Sequence, residues 1–256
     1  MRSTPRIELE RVHGWIGAAS ATSILALWFM SLAMLLTSTW DSKLLLFAPL
    51  AILAQTFLHT GLFINAHDAM HGTLCHTSPR INNALGALSV FCYALFSFEE
   101  MREHHHAHHA HPASEDDPDY CDEPREGPLK WYASFLARYV TWWQLLGMAL
   151  VFNLLQHGLG IEPLSLVVFW VIPSLLSTVQ LFFFGTYLPH LPGDDSDQEH
   201  HARSLEWPVW LSFFACYHFG YHLEHHRYPY VPWWLLPRAR ELDDTSNAPL
   251  DATTSR

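Results

Sequence analysis

The sequence predicts an all-α integral membrane protein: four transmembrane helices in two hairpins, a re-entrant or interfacial helix, and a His-rich metal cap on the cytoplasmic side. Three observations predict it. Half of the 256 residues are hydrophobic and only 15% are charged, well below the quarter usual in soluble domains. The apolar residues gather in long runs, and the polar stretches between them hold the mean hydropathy to +0.05. Eight of the 19 histidines fall into three clusters with helical spacing. These are His67 and His71 in HDAMH, then His105, His108 and His109 in HHAHH, and His222, His225 and His226 in HLEHH.

The first apolar run, about 15–39, holds no charged side chain and exceeds the ~20 residues a spanning helix needs. The second, about 44–66, ends at the first histidine cluster, and the turn Trp40–Lys43 makes the two a hairpin. Runs at about 131–156, with Arg138 inside it, and about 163–189 form a second hairpin through HGLGIE. Pro173 in the last run kinks a helix without preventing it. The run at about 81–98 lies between the first two clusters. A full crossing there would part them by ~30 Å of hydrocarbon. If the clusters share a site, this segment must return to the side it left, and its Asn82, Asn83, Gly86 and Ser89 make it the less apolar run.

Under this map Lys43 is the one clear cation on the far side. Arg2, Arg6, Arg11, Arg80, Arg102, Arg125, Lys130, Arg203, Arg227, Arg238, Arg240 and Arg256 lie on the histidine side. The positive-inside bias makes that side cytoplasmic, together with both termini. Residues 1–256 read as a single domain with a mobile polar tail at about 241–256. No targeting peptide is visible, so the mature chain is expected to begin near Met1. A formal charge of −11 with no basic stripe excludes nucleic acid as a partner. Cys75, Cys92, Cys121 and Cys216 form no CxxC pair, which argues against a disulfide framework.

Side chains at i, i+3 and i+4 share one helix face, so each cluster presents its imidazoles together. Eight are too many for one four-coordinate zinc and suit two metals with open positions. No HExxH motif supplies a metalloprotease base, and no cysteine sits in a cluster to favour thiolate zinc or iron–sulfur sites. The spacing gives a dinuclear metal; iron is the preferred inference, although zinc binds the same ligands. His59 and His157 read as packing on apolar faces, and His13, His200 and His201 as solvated or interfacial. His104 satisfies a looser second cluster, but the HxxHH register of the third favours His105.

The order HxxxH, HxxHH, HxxHH resembles that of the membrane fatty-acid desaturase/hydroxylase superfamily. Within it, four strings are similar to those of the bacterial β-carotene ketolases. They are FLHTGLFINAHDAMHGTL at 57–74, HHAHPASEDDPDY at 108–120, FFGTYLPH at 183–190 and YHFGYHLEHHRYP at 217–229. The resemblance implies an oxygenase of the bacterial cytoplasmic membrane with two iron ions (Fe2+), taking its carotenoid from the bilayer. O2 would be the co-substrate, and a reduced ferredoxin-type protein the electron donor. It would hydroxylate carbon 4 of the β-ionone ring twice, and the gem-diol would lose water to give the ketone. β-Carotene would pass through echinenone to canthaxanthin, and zeaxanthin would give astaxanthin.

Carried over residue by residue, the motif histidines are His67, His71, His105, His108, His109, His222, His225 and His226. A ninth ligand is expected at His218, one helical turn before His222, or at His190. Asp68 and Asp117 are expected to accept hydrogen bonds from the second ring nitrogen of ligating histidines. Asp119 and Glu224 are further candidates for that role, and a carboxylate between the metals stays open. The bland reading of Asp116, Asp117 and Asp119 is a solvated turn around Pro118. Trp142, Trp143 and Phe182 to Phe184 read as tunnel lining or plain packing. Two other readings remain: a carotenoid hydroxylase or acyl-chain desaturase of the same superfamily, and a His-rich metal transporter. The transporter predicts ligands along a path through the spans, whereas the clusters gather at one edge.

Overall fold

A computed structural model describes residues 11–120, 127–191, 197 and 200–247, and among these every regular element is helical. In chain order the helices are α1 (Arg11–Thr37), α2 (Ser42–Met70), α3 (Pro79–Ala94), α4 (Phe98–Ala110), α5 (Pro128–Tyr139), α6 (Trp142–Gly158), α7 (Pro163–His190), α8 (Val209–Cys216), α9 (His222–Arg227) and α10 (Leu236–Asn247). Three are long and apolar enough to cross a membrane: α1 from His13, α2 and α7.

These three helices set the level of everything else. α1 is apolar all round, with Phe29, Met30 and Met34 exposed outward and Ala18, Ala21 and Trp28 buried. Asp41 caps α2 by accepting the Leu44 N–H at 2.8 Å. Just before it, Trp40 donates its indole N–H to the Ser165 hydroxyl at 2.9 Å and stacks on Phe169. The tip of the α1–α2 hairpin therefore meets the start of α7. His190, at the other end of α7, is brought level with His67 and His71 at the end of α2. Polar side chains within the bundle pair across helices instead of facing lipid, which has no groups to satisfy them. Thr60 meets Ser177 at 2.9 Å, Ser31 donates to Gln55 at 2.7 Å, and Trp28 donates to His59 at 3.1 Å. His59 packs, as its apolar face suggests.

α3 runs antiparallel to α2 but stops partway. At its start, buried Asn82 donates to the Ala69 carbonyl at 2.8 Å and accepts the Cys75 N–H at 3.1 Å. One turn on, a Cβ on Gly86 would lie 2.5 Å from the Ala69 methyl and 2.6 Å from the Phe98 ring. Only glycine allows that approach. Near its end, Tyr93 packs on His59 with ring centroids 4.6 Å apart. From Ala69 back to His59, α2 covers about 15 Å, so α3 reaches only about half the depth of the bundle. Leu95 then turns into the left-handed region (φ 57), and the chain bends by 97° into α4. The run expected at about 81–98 is thus a short helix that ends in a bend of about a right angle.

The single span expected at about 131–156 is not one helix. α5 and α6 meet at an 84° bend, with Val140 extended between them. Thr141 starts α6 with a capping box closed by Gln144, which gives the new helix its own N-terminus. α5 is held to the loop before it. Arg138 donates to the carbonyls of Asp117 at 3.1 Å and Pro118 at 3.2 Å, and the Trp131 indole donates to the Asp119 carbonyl at 2.9 Å. Arg138 therefore lies against the Asp117–Pro118 turn. His157, expected to pack, is exposed in the last turn of α6.

The tail differs as well. Residues 241–247 belong to α10, held by ion pairing of Arg227 with Asp243 at 3.1 Å and by the Tyr228 hydroxyl on the same carboxylate. Residues 1–10 and 248–256, Cys121 and Arg125 lie outside the described residues. So do the expected cytoplasmic positions of Arg2, Arg6 and Arg256.

Replacing Asn82 with alanine strands the Ala69 carbonyl and the Cys75 N–H at the α2–α3 contact. The expected cost is about 1–3 kcal/mol, read as a lowered unfolding midpoint in detergent, with no comparable loss for Asn83→Ala on the same helix.

Candidate metal centre

Four elements deliver imidazoles to one end of the bundle. His67 stands in the last turn of α2 and His71 is its C-cap. Gly72, at φ +73, ends the helix in a conformation that L side chains rarely adopt. α4 turns His105, His108 and His109 to one side, by the i, i+3, i+4 rule. α7 contributes His190, its final residue, and α9 contributes His222, His225 and His226.

The ring nitrogens converge in two groups of four. One comprises His67, His71, His105 and His225; the other comprises His108, His190, His222 and His226. Within each group the candidate ligand atoms lie within 4.8 Å of one another. In the first, the Nε2 atoms of His71 and His105 are 2.7 Å apart, and those of His67 and His225 are 3.1 Å apart. In the second, His190 meets His222 at 2.9 Å, and His226 meets His222 at 3.1 Å and His108 at 3.2 Å. His109 sits between the groups. Its Nε2 is 2.9 Å from that of His225, and its ring stacks on His226 with centroids 4.3 Å apart.

The two candidates for a ninth position separate cleanly. His190 is inside the second group. His218 is outside both, because Tyr217 (φ 46) and His218 (φ 65) are left-handed and break the chain between α8 and α9. It therefore does not share a helix face with His222, contrary to the expectation from spacing. Its ring lies against Phe213 and Trp233, and burial pushes it down to about 4. His104 packs against Tyr139, and His106 bonds the Met70 carbonyl at 3.1 Å. His105 is thus the α4 histidine that faces the first group.

Three outer nitrogens have acceptors that fix the tautomer. His67 Nδ1 faces Asp68 at 3.3 Å, His108 Nδ1 faces Asp117 at 2.9 Å, and His190 Nδ1 faces the His201 carbonyl at 3.0 Å. A carbonyl or carboxylate oxygen only accepts, so each Nδ1 carries a proton, and Nε2 is the nitrogen left to face the centre and bind a metal. That is the donor arrangement a cation requires. The carboxylates are themselves held. Asp68 accepts the Trp233 N–H at 3.0 Å. Asp117 accepts the N–H groups of Asp119 at 2.8 Å and Ala113 at 2.9 Å. Asp117 is buried, so the turn around Pro118 is built into the site and is not a solvated acidic loop. Glu224 faces Ser204 and Arg240 and orients no histidine.

Burial, followed by the charge that neighbouring imidazoles would carry, holds His71, His105, His222, His225 and His226 well below the ordinary imidazole value. The same causes push His109 down to about 2. These rings are neutral at pH 7, with lone pairs free for a metal. His108 is the exception: burial lowers it, but Asp119 and Asp117 together raise it above its ordinary value.

A cavity opens against the histidines between α2, α4, α5 and α7. His67, His105, His108 and His222 line its head, with Asp119, Tyr139 and Thr186 beside them, and the remaining walls are mainly apolar. A second apolar cavity continues from it, sharing Tyr93, Phe96, Leu136, Val140 and Thr178, and reaches Phe152 and Trp170 between α6 and α7. Trp142, Trp143 and Phe182 to Phe184 line neither cavity. The two tryptophans are exposed, Phe182 packs on Trp131, and Phe184 meets Trp207. Sequence reasoning gave no such place to Tyr139 or Thr186, because only the bend after α5 and the end of α7 bring them together.

Comparison with known proteins agrees with this geometry. The pattern of the family described as "Fatty acid desaturase" matches residues 42–161 and 129–252. A β-carotene ketolase of one Paracoccus strain is 42% identical over 235 residues, which is 91% of this chain and 92% of that protein. A β-carotene ketolase of a second Paracoccus strain is 41% identical over 198 residues, 77% of this chain and 80% of the relative. A zeaxanthin 4-ketolase of Chlamydomonas reinhardtii is 36% identical over 274 residues, covering 94% of this chain and 58% of that protein.

His190→Ala removes a donor from the second group, whereas His218→Ala removes a ring packed elsewhere. Metal analysis of the purified variants after equal chelator exposure is expected to show less bound metal for His190→Ala and an unchanged content for His218→Ala. Equal losses from both would contradict the assignment of His190 over His218.

Proposed function

The chain belongs to the fatty acid desaturase family, and on that premise we propose that it is a carotenoid 4-ketolase, converting the ring methylene at carbon 4 of a β-ionone ring to a ketone. β-Carotene would pass through echinenone to canthaxanthin, and zeaxanthin would give astaxanthin. The observation that carries this reading is the apolar passage ending on convergent imidazoles. A long polyene dissolves only in the bilayer. A site for its terminal ring must therefore open towards lipid and end at the metal ligands, as this passage does between α6 and α7.

The donor set fits two metal ions, one per group of four histidines, with His109 between them. All-nitrogen ligation without thiolate suits iron, and two iron ions there would supply O2 activation and the redox capacity for breaking the C4–H bond. The ligands are His67, His71, His105, His108, His109, His190, His222, His225 and His226. Asp68 and Asp117 hold His67 and His108 in the tautomer that turns Nε2 to the metal. Apolar walls at Phe63, Phe96, Phe135 and Leu181 exclude water from the reacting carbon and direct the ring edge towards His105 and His108. Each hydroxylation consumes one O2, two electrons and two protons and releases one water. The electrons come from a ferredoxin-type donor.

In the membrane, α1, α2, α6 and α7 cross, while α3 and α4 dip in and return. α6 spans about 25 Å by its helical rise, enough to complete the fourth crossing with its flanking turns. Arg80, Arg102, Arg138, Arg203, Arg227 and Arg240 then lie on the histidine side and Lys43 on the other, which makes the histidine side cytoplasmic. In a bacterial host this is the inner membrane.

Expression in a bacterium engineered to accumulate β-carotene tests the activity directly. Pigment extracts are expected to contain echinenone and canthaxanthin, and His108→Ala is expected to abolish both while leaving the protein in the membrane. Iron-loaded protein without ketone products would contradict the ketolase reading, and hydroxylated or desaturated products would favour another reaction of the family.

A further inference from the structure

A ketolase must oxidise the same carbon twice. After the first round, carbon 4 carries one hydroxyl and one hydrogen, and only the hydrogen must face the metals in the second. In a purely apolar cavity the new hydroxyl would have no partner, a cost that favours release of the alcohol. The cavity is not purely apolar. At its head, beside His105, His108 and His222, stands a carboxylate that holds no histidine at hydrogen-bond distance. Asp119 lines the cavity. It accepts the Tyr139 hydroxyl at 2.6 Å on one oxygen and the Thr186 hydroxyl at 3.3 Å on the other. Its nearest approach to a metal-facing ring is 3.9 Å, to His108 Nδ1, so the carboxylate stands one imidazole ring away from the metal-facing Nε2. Its backbone carbonyl is fixed by the Trp131 indole. Each carboxylate oxygen has room for more than one donor, so a further hydroxyl can be accepted without displacing Tyr139 or Thr186.

Resting on the ketolase reading, we infer that Asp119, oriented by Tyr139 and Thr186, accepts the hydrogen bond of the 4-hydroxyl left by the first oxidation, retaining the alcohol with its remaining C4–H towards the metals. Asp119 is then the residue that makes the product a ketone instead of an alcohol. No bond is made or broken at Asp119 in this role. The second hydroxylation draws on the same O2 and reductant as the first, and the resulting gem-diol loses one water. The hydroxyl of a ring already substituted at carbon 3 lies next to carbon 4 and competes for the same acceptor.

The test uses the full chain in cells that accumulate β-carotene, comparing wild type, Asp119→Asn, Tyr139→Phe and Thr186→Val. The readout is the ratio of 4-hydroxy to 4-keto products by chromatography and mass. Loss of the acceptor for a buried hydroxyl corresponds to about tenfold in retention. Asp119→Asn is expected to raise the ratio by about that factor, and Tyr139→Phe and Thr186→Val by less. A general loss of folding or metal would lower both products together and leave their ratio alone. An unchanged ratio in Asp119→Asn overturns the assignment. So does loss of both products in that variant without a raised ratio in Thr186→Val. A wild-type chain that yields no oxygenated ring contradicts the ketolase reading itself.

Discussion

The constraint on which the rest depends is the convergence of nine buried or half-buried imidazoles, their Nε2 atoms facing one another at 2.7–3.2 Å where they meet. Converging lone pairs in a low-dielectric interior are unfavourable unless a proton or a cation stands between them. The outer nitrogens of His67, His108 and His190 are committed as donors, so protons on those three rings are already placed on the outside. The arrangement stays coherent when metal ions occupy the centre. The helix arrangement then follows as the means of bringing the rings together: α1, α2 and α7 each bring one end to this level, α3 bends by 97° into α4, and α4 and α9 carry the other two histidine clusters.

The same constraint explains which parts of the molecule were legible in the sequence. HDAMH, HHAHH and HLEHH could be read because helical periodicity is local, and a short-range rule places their rings on common faces. A break in the 81–98 run could be expected because two clusters that share a site cannot stand on opposite sides of a bilayer, and the chain does bend by 97° after Leu95. The bend at Val140 escaped the hydropathy reading, since residues 131–156 are mainly apolar and carry Arg138 as their one charged side chain. What breaks the helix is a capping box at Thr141 and the demand of the Asp117–Asp119 loop for the donors Trp131 and Arg138. Neither is visible in apolar content. His218 misled for a related reason: i, i+4 spacing implies a shared face only where a helix exists, and two left-handed residues remove it there.

The DPDY string illustrates how one short loop acquires several jobs. Asp117 stands on the outer side of His108; burial alone would raise its carboxyl, but the hydrogen bond and charge of His108, with the backbone N–H groups of Asp119 and Ala113, keep it below the usual range. Two residues on, Asp119 faces the cavity instead and takes its donors from α5 and α7. Pro118 between them fixes the turn that sends the two carboxylates to different sides. The loop whose bland reading is a solvated acidic turn thus links His108 on one side to the cavity on the other, in line with the expectation that Asp117 orients a histidine.

The central proposal, that the two histidine groups hold two iron ions, is tested most directly by the iron content and Mössbauer spectrum of the full-length protein purified from membranes with intact lipid. The account predicts two irons per chain, in the two histidine groups, with signals from nitrogen-rich sites. A single metal per chain, or zinc at full occupancy in protein that still forms ketone, would contradict it.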